Sequence, residues 1–231
     1  MKYLAAASGV GALTISLLAQ ADIQPARFRA GAIPVVPVMM TAGGDVIVSV
    51  AVSSDGTVTD VDVLRSTPPF TDAVVRAVRT WRFTPALDQD LKPLATRVLV
   101  DALARPPSLN SPTVGTPPVD VGAPDPRIPY PAQSLPPLYP INARTEGTVM
   151  VETRLDPSGR VIEAKAVRSS PPFDRPALDA ARGWLFSPAT APKVAPSPYA
   201  YLVFVFRQPI VGPISAPGGG QLGTPPAPPQ P

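Results

Sequence analysis

The side chains that most often carry chemistry are missing from this chain. It has no cysteine and no histidine, which removes the strongest nucleophile, the commonest metal ligand and the commonest general base at neutral pH. A serine nucleophile would need a lysine or carboxylate helper, and neither Gly-x-Ser-x-Gly nor Ser-x-x-Lys occurs. Asp55, Asp60 and Asp62 are acids of the kind that hold calcium, but the positions 103 residues further on are Ser158, Glu163 and Lys165. No catalytic residue, metal ligand, cofactor or small-molecule substrate is assigned. What remains is the chemistry of binding. The strongest candidate is Tyr199 to Phe206, YAYLVFVF, with Tyr199, Tyr201, Val203 and Val205 on one face and Leu202, Phe204 and Phe206 on the other.

The offset of 103 is a property of the whole chain. RSTPPF at residues 65–70 returns as RSSPPF at 168–173, Gly44 falls on Gly147, Gly56 on Gly159, Trp81 on Trp184, Phe83 on Phe186 and Pro85 on Pro188, without a gap. Self-similarity of this kind marks a duplicated unit of roughly 70 residues, a size that folds alone only marginally.

Each unit reads the same way. Val46, Val48, Val50 and Val52 alternate with other residues, as do Val149, Val151, Thr153 and Leu155, and period two predicts a strand with one buried face. SSDGT and DPSGR follow, where Gly56 and Gly159 supply a tight hairpin before a second strand. Pro68-Pro69 and Pro171-Pro172 end that strand. Thr71 and Asp174 are good N-cap types, and Phe70 and Phe173 stand where a hydrophobic staple would pack. Val74, Val78 and Trp81 then form a helical stripe, repeated by Leu178, Ala181 and Trp184, and a last strand closes each unit. The expected fold is α+β: two tandem domains, each a three-stranded antiparallel sheet packed against one helix in the order ββαβ, joined by a Pro-rich linker.

The 35 prolines of the 231 residues should lie outside these units. The boundaries follow: residues 1–21 a secretory signal or an uncut membrane anchor, 32–105 the first domain, 106–136 an extended linker, 137–208 the second domain, and 209–231 a disordered Pro/Gly-rich tail. The net charge of +3 is not gathered into a run of Lys and Arg, so no nucleic-acid partner is indicated.

The stretch YPINARTEGTVMVETRLDPSGRVIEAKAVRSSPPFDRPALDAARGWLFSPA resembles the C-terminal domain of the TonB family of bacterial energy transducers. The likeness rests on the Tyr-Pro opening, Ala-Arg before a Gly-led first strand, the Asp-x-x-Gly-Arg-Val hairpin, Ser-Ser, and Trp-x-Phe-x-Pro after the helix. The first copy departs from it, with Val36-Pro37 for Tyr139-Pro140, Met40-Thr41 for Ala143-Arg144, and Asp101 for Phe204. The resemblance implies a non-enzymatic, exported protein of the periplasm, anchored in the inner membrane if residues 1–21 are retained, in which case inner-membrane partners follow. It also implies binding, by strand addition to the last strand, of a segment of an outer-membrane receptor or other periplasmic protein in TonB-dependent transport. The partner-binding residues are then Tyr139, Pro140, Arg144, Tyr199, Tyr201, Val203 and Val205. Two readings stay open: the last-strand rings serve as core or as a docking face, and the fold serves transport or a structural or regulatory periplasmic scaffold without a transporter.

Overall fold

The computed structural model describes residues 24–38, 40, 43–104, 118–190 and 197–208. The expected signal or anchor, residues 106–117 of the expected linker and the tail lie outside them. The first repeat contains β1 (Arg27–Ala30), β2 (Gly44–Val52), β3 (Val58–Ser66), α1 (Phe70–Val78), β4 (Arg82–Thr84), β5 (Ala86–Leu87), β6 (Pro93–Leu94) and β7 (Thr96–Ala104). The connection adds β8 (Val119–Asp120), and the second repeat holds β9 (Tyr130–Gln133), β10 (Gly147–Leu155), β11 (Val161–Arg168), α2 (Asp174–Arg182), β12 (Leu185–Ser187) and β13 (Tyr199–Phe206).

The duplicated hexapeptide closes the strand-to-helix corner. Phe70 and Phe173 are fully buried, and each ring lies against the glycine that opens the first long strand, so that a Cβ on Gly147 would run into Phe173 and one on Gly44 would crowd Phe70 and run into Met40. Thr71 and Asp174 do not cap the helices that begin beside them. Their side chains instead reach back four residues, where Thr67 N–H donates to Thr71 Oγ1 at 2.8 Å and Ser170 N–H donates to Asp174 Oδ1 at 2.7 Å. The helix thereby holds the end of the preceding strand, whose backbone donors would otherwise be orphaned at the turn.

The hairpin glycines do a second job. Gly56 and Gly159 sit at φ +83° and +84°, a region open to glycine at little cost. Their carbonyls accept the N–H groups of Phe83 and Phe186 at 2.8 and 2.9 Å. Each hairpin is thus tied to the short strand after the helix.

That short strand has a partner not foreseen from the pattern. β4 pairs with β1 and β12 pairs with β9, both antiparallel. Trp81 Nε1 donates to Ala32 O at 2.8 Å and Trp184 Nε1 donates to Leu135 O at 2.9 Å, again 103 residues apart. The repeat therefore begins with a leading strand, and residues 118–136 are not the free tether expected of the Pro-rich connection. Ile128 and Asp125 within it are buried.

The two repeats are also not separate beads. β7 and β13, the last strand of each, pair in parallel from Ala200 opposite Leu99 to Val205 opposite Ala104, which fuses two three-stranded sheets and, with β8 added on the rim of β3, makes one of seven strands ordered β11-β10-β13-β7-β2-β3-β8. The helices lie on opposite faces of it. Phe70, Val74 and Val78 share a core with Val98, Val100 and Ala102 and with Tyr201, Val203 and Val205 across the seam. Phe173, Ala177 and Ala181 share the other with Leu202, Phe204 and Phe206 and with Leu99 and Ile47. Parallel neighbours with helices on opposite faces place the repeats about an approximate two-fold axis along the strands.

One polar side chain interrupts this seam. Asp101, at the place of Phe204, is 1% exposed, and the Oδ1 atoms of Asp101 and Asp45 are buried without a hydrogen-bond partner among the described residues. Burial first, and the neighbouring Asp45 carboxyl second, push Asp101 well above the usual carboxylate range, while Arg65 pulls it back. A carboxyl raised in the folded state stabilises most below its unfolded pKa of about 3.9, and that contribution is lost as pH rises through the folded value. We expect Asp101→Asn to remove a fall in urea midpoint that the unaltered protein shows as pH is raised from about 4. Parallel pH profiles for the two proteins would contradict this assignment.

Candidate binding surface

β13 is flanked by β10 on one side and β7 on the other, and every residue of it except Tyr199 is buried. This corrects the expectation that Tyr199, Tyr201, Val203 and Val205 line an open rim. Two apolar faces mean a central strand, because a parallel pair must be covered on both sides.

The cover on the Tyr201 face comes from the other repeat. Phe28, Trp81 and Phe83 surround the Tyr201 ring at centroid distances of 6.3, 6.3 and 5.7 Å. The Tyr201 hydroxyl lies 3.0 Å from Glu152 Oε2 and accepts from Phe28 N–H at 2.9 Å. Burial first, then the Glu152 carboxylate, push the Tyr201 phenol far up, so the hydroxyl keeps its proton and donates to Glu152. Arg27 forms two bonds to the same carboxylate, one through Nε at 2.9 Å, and donates to Tyr199 Oη at 3.0 Å with its guanidinium 4.2 Å from the Tyr199 ring centre. That hydrogen bond to Glu152 raises the Arg27 pKa.

The opposite face of the first repeat is strapped in turn by the connection. Ser49, the counterpart of Glu152, donates to Asp125 Oδ2 at 2.8 Å. Burial would push Asp125 up, yet its bonds from Arg127 and Ser49 hold it down at about 2. Arg97, beside it, also takes up Asp60 and Asp62, with Asp60 at 3.1 Å. The three acids with calcium-like spacing are accordingly spoken for. Asp60 and Asp62 pair with Arg97, and Asp55 is held at about 2 by Ser53 first and then Thr57 within its own turn. Among the described residues no group of three acids, cysteines or histidines is placed to hold a metal.

Tyr139, Pro140 and Arg144 precede β10. The Tyr139 hydroxyl donates to Thr145 O at 2.7 Å, and its ring sits 5.6 Å from that of Phe173. Pro140 is half-buried and Arg144 exposed. Because Gly147 opposes Phe206 while Arg154 opposes Tyr199, these three stand at the far end of the sheet from Tyr199, about 20 Å along the strands. The structure does not gather the predicted residues into one site.

Two rims bound the seven-stranded sheet. On the first, β8 pairs antiparallel with β3, placing Asp120 opposite Arg65 and Val119 opposite Ser66. On the second, β11 has β10 on its inner side and no strand beyond it among the described residues. Ile162 is 52% exposed there, and Lys165 and Arg168 have no ion pair among the described residues. Sequence reading missed this rim because Glu163 and Lys165 look like ordinary solvated residues, and it missed Arg27 and Glu152 because their pairing crosses between repeats.

Removing one partner from a buried pair strands the other. Glu152 is 4% exposed and Arg27 41%, so Arg27→Met should cost about 2 kcal/mol, less than a fully buried pair would. Adding Glu152→Gln should return more than half of it, since the amide keeps the Tyr201 bond. Urea denaturation reads both, and a neutral Arg27→Met would show that the strap contributes nothing.

A search among curated proteins gives no match. The family model for the Gram-negative bacterial TonB protein C-terminal domain matches residues 34–101 and again 136–206, well over half of the chain. The two matched stretches are the two repeats, and this chain therefore belongs to the TonB C-terminal family, carrying that domain twice.

Proposed function

We propose that the protein is a non-enzymatic binding component of the Gram-negative cell envelope that takes an extended segment of an outer-membrane receptor, or of another periplasmic protein, as an added strand. Membership of the TonB C-terminal family supports the envelope setting and the association with transport. Among the described residues no helix is long and apolar enough to cross a membrane. The secretory signal or anchor, with the inner-membrane partners that an anchor would bring, belongs to residues 1–21, outside the described part.

One observation carries the choice of site: β11 is the long strand whose outer backbone groups have no neighbouring strand among the described residues. Unpaired N–H and C=O groups along such a rim template an incoming chain, with backbone bonds giving affinity and alternate side chains giving selectivity. Arg144 stands at the same end of the sheet as Arg168, because Met150, three residues into β10, opposes Arg168. A guest running along β11 would reach Arg168 at the end of the sheet where Arg144 stands. Tyr139 and Pro140 act here as the packed base of the Arg144 loop. The alternative of a structural or regulatory scaffold without a transporter gains from the sealed seam, since a fixed pair of domains suits a spacer as well as a receptor clasp.

Hydrogen exchange distinguishes these sites. Peptides from the periplasmic face of outer-membrane receptors should slow exchange of the amides of residues 161–168 and leave those of 199–206 unchanged. Protection confined to other segments, or none with any receptor peptide, would remove strand addition at β11.

A further inference from the structure

The chain carries an example of its own guest. β8 is an isolated two-residue strand lying on the rim of β3, held by Arg65 Nε donating to Asp120 Oδ1 at 2.7 Å and by Val121 N–H donating to Leu64 O at 2.9 Å. Arg65 is steadied from behind by Asp45, which accepts from its Nη1 at 2.7 Å. The rim of β3 thus takes an extended segment reading apolar, acid, β-branched, that is Val119-Asp120-Val121, running antiparallel.

The 103-residue offset transfers this rim to β11. Leu64, Arg65 and Ser66 correspond to Val167, Arg168 and Ser169. The difference is that Thr148 stands where Asp45 does, so Arg168 has lost its acidic neighbour. One Arg168 nitrogen donates to Gly31 O at 3.2 Å and the guanidinium lies 5.9 Å from the Phe28 ring centre, but no carboxylate reaches it among the described residues. Lys165 adds a second cation on the same strand, while Glu163 is already taken by Arg154 at 3.0 Å.

We infer that the β11 rim binds an extended acidic segment of another protein, antiparallel, with an apolar residue opposite Ser169 and a carboxylate against Arg168. This deepens the strand-addition reading and rests on it. The occupant is taken as an external chain: residues 209–231, which follow β13 as the connection follows β7, contain neither Asp nor Glu and do not supply the carboxylate. A charge-assisted bond between an exposed arginine and a carboxylate gives modest affinity and clear preference, with the backbone ladder supplying the rest.

The probe is the internal guest offered in trans: the blocked hexapeptide PVDVGA, residues 118–123 of the chain, and its PVNVGA analogue, titrated into the full-length isotope-labelled protein at low salt. The acidic peptide should shift the amides of residues 163–169 and bind about fivefold more tightly than the Asn analogue. Arg168→Gln should abolish that difference. Equal rim binding of both peptides would overturn the acidic preference while leaving strand addition standing. Failure of both to move residues 161–168, or shifts confined to β3 where β8 is displaced, would overturn the β11 site itself.

Discussion

The parallel pairing of β7 with β13 is the constraint from which the remaining structure follows. A parallel pair leaves no hairpin between its strands and stays stable only when both of its faces are buried. Each small domain brings one helix, which covers one face of its own half. Because the helices lie on opposite faces, each half would still leave one face wet. The leading strands and the segments beside them supply what is missing: Arg27 and Phe28 over the second repeat, Asp125 and Ile128 over the first. Two units too small to be robust alone thereby become a single sheet with two cores, each built from both repeats.

The two straps use opposite electrical designs. A cation reaches over to a buried acid in one, and an acid reaches over to a serine and an arginine in the other. Equivalent positions 49 and 152 carry a neutral hydroxyl and a buried acid, so the straps cannot be exchanged without stranding a charge, and the crossing is specified as well as stabilised. The same seam decides where a partner can go. It closes the last strands, and β8 occupies the Arg65–Ser66 end of the rim of β3, whereas β11 has no strand on its outer side along its whole length among the described residues.

Much of a single repeat was legible in the sequence. The alternation of Val46 to Val52, the glycine at each turn, the double prolines and the helical stripe are local signals, and the long strands fall where those signals put them. The helices stop at Val78 and Arg182, short of Trp81 and Trp184 at the end of the stripe. The helix starts were read less well, because Thr71 and Asp174 bond back to the strand end and not forward into the helix. The leading strands escaped notice because RFRA and YPAQ are too short and too mixed to show a period, and YPAQ lies in a stretch whose prolines predict a tether. The two apolar faces of YAYLVFVF fitted either a docking edge or a central strand. Which one it is depends on a partner 101 residues away, where Ala200 meets Leu99, and no local pattern encodes that pairing. Asp101 looked like drift. Its burial shows that the seam accepts one carboxyl, raised above the usual carboxylate range by that burial, where the second repeat has a phenyl ring.

The most direct measurement is the set of interstrand backbone nuclear Overhauser effects in the full-length chain across the seam. Contacts between residues 99–104 and 200–205 in the parallel register, with Tyr201 beside Val100 and Val203 beside Ala102, are the predicted result. Their absence, together with independent tumbling of the two repeats, would contradict the fused sheet and reopen the last strand of each repeat to a guest.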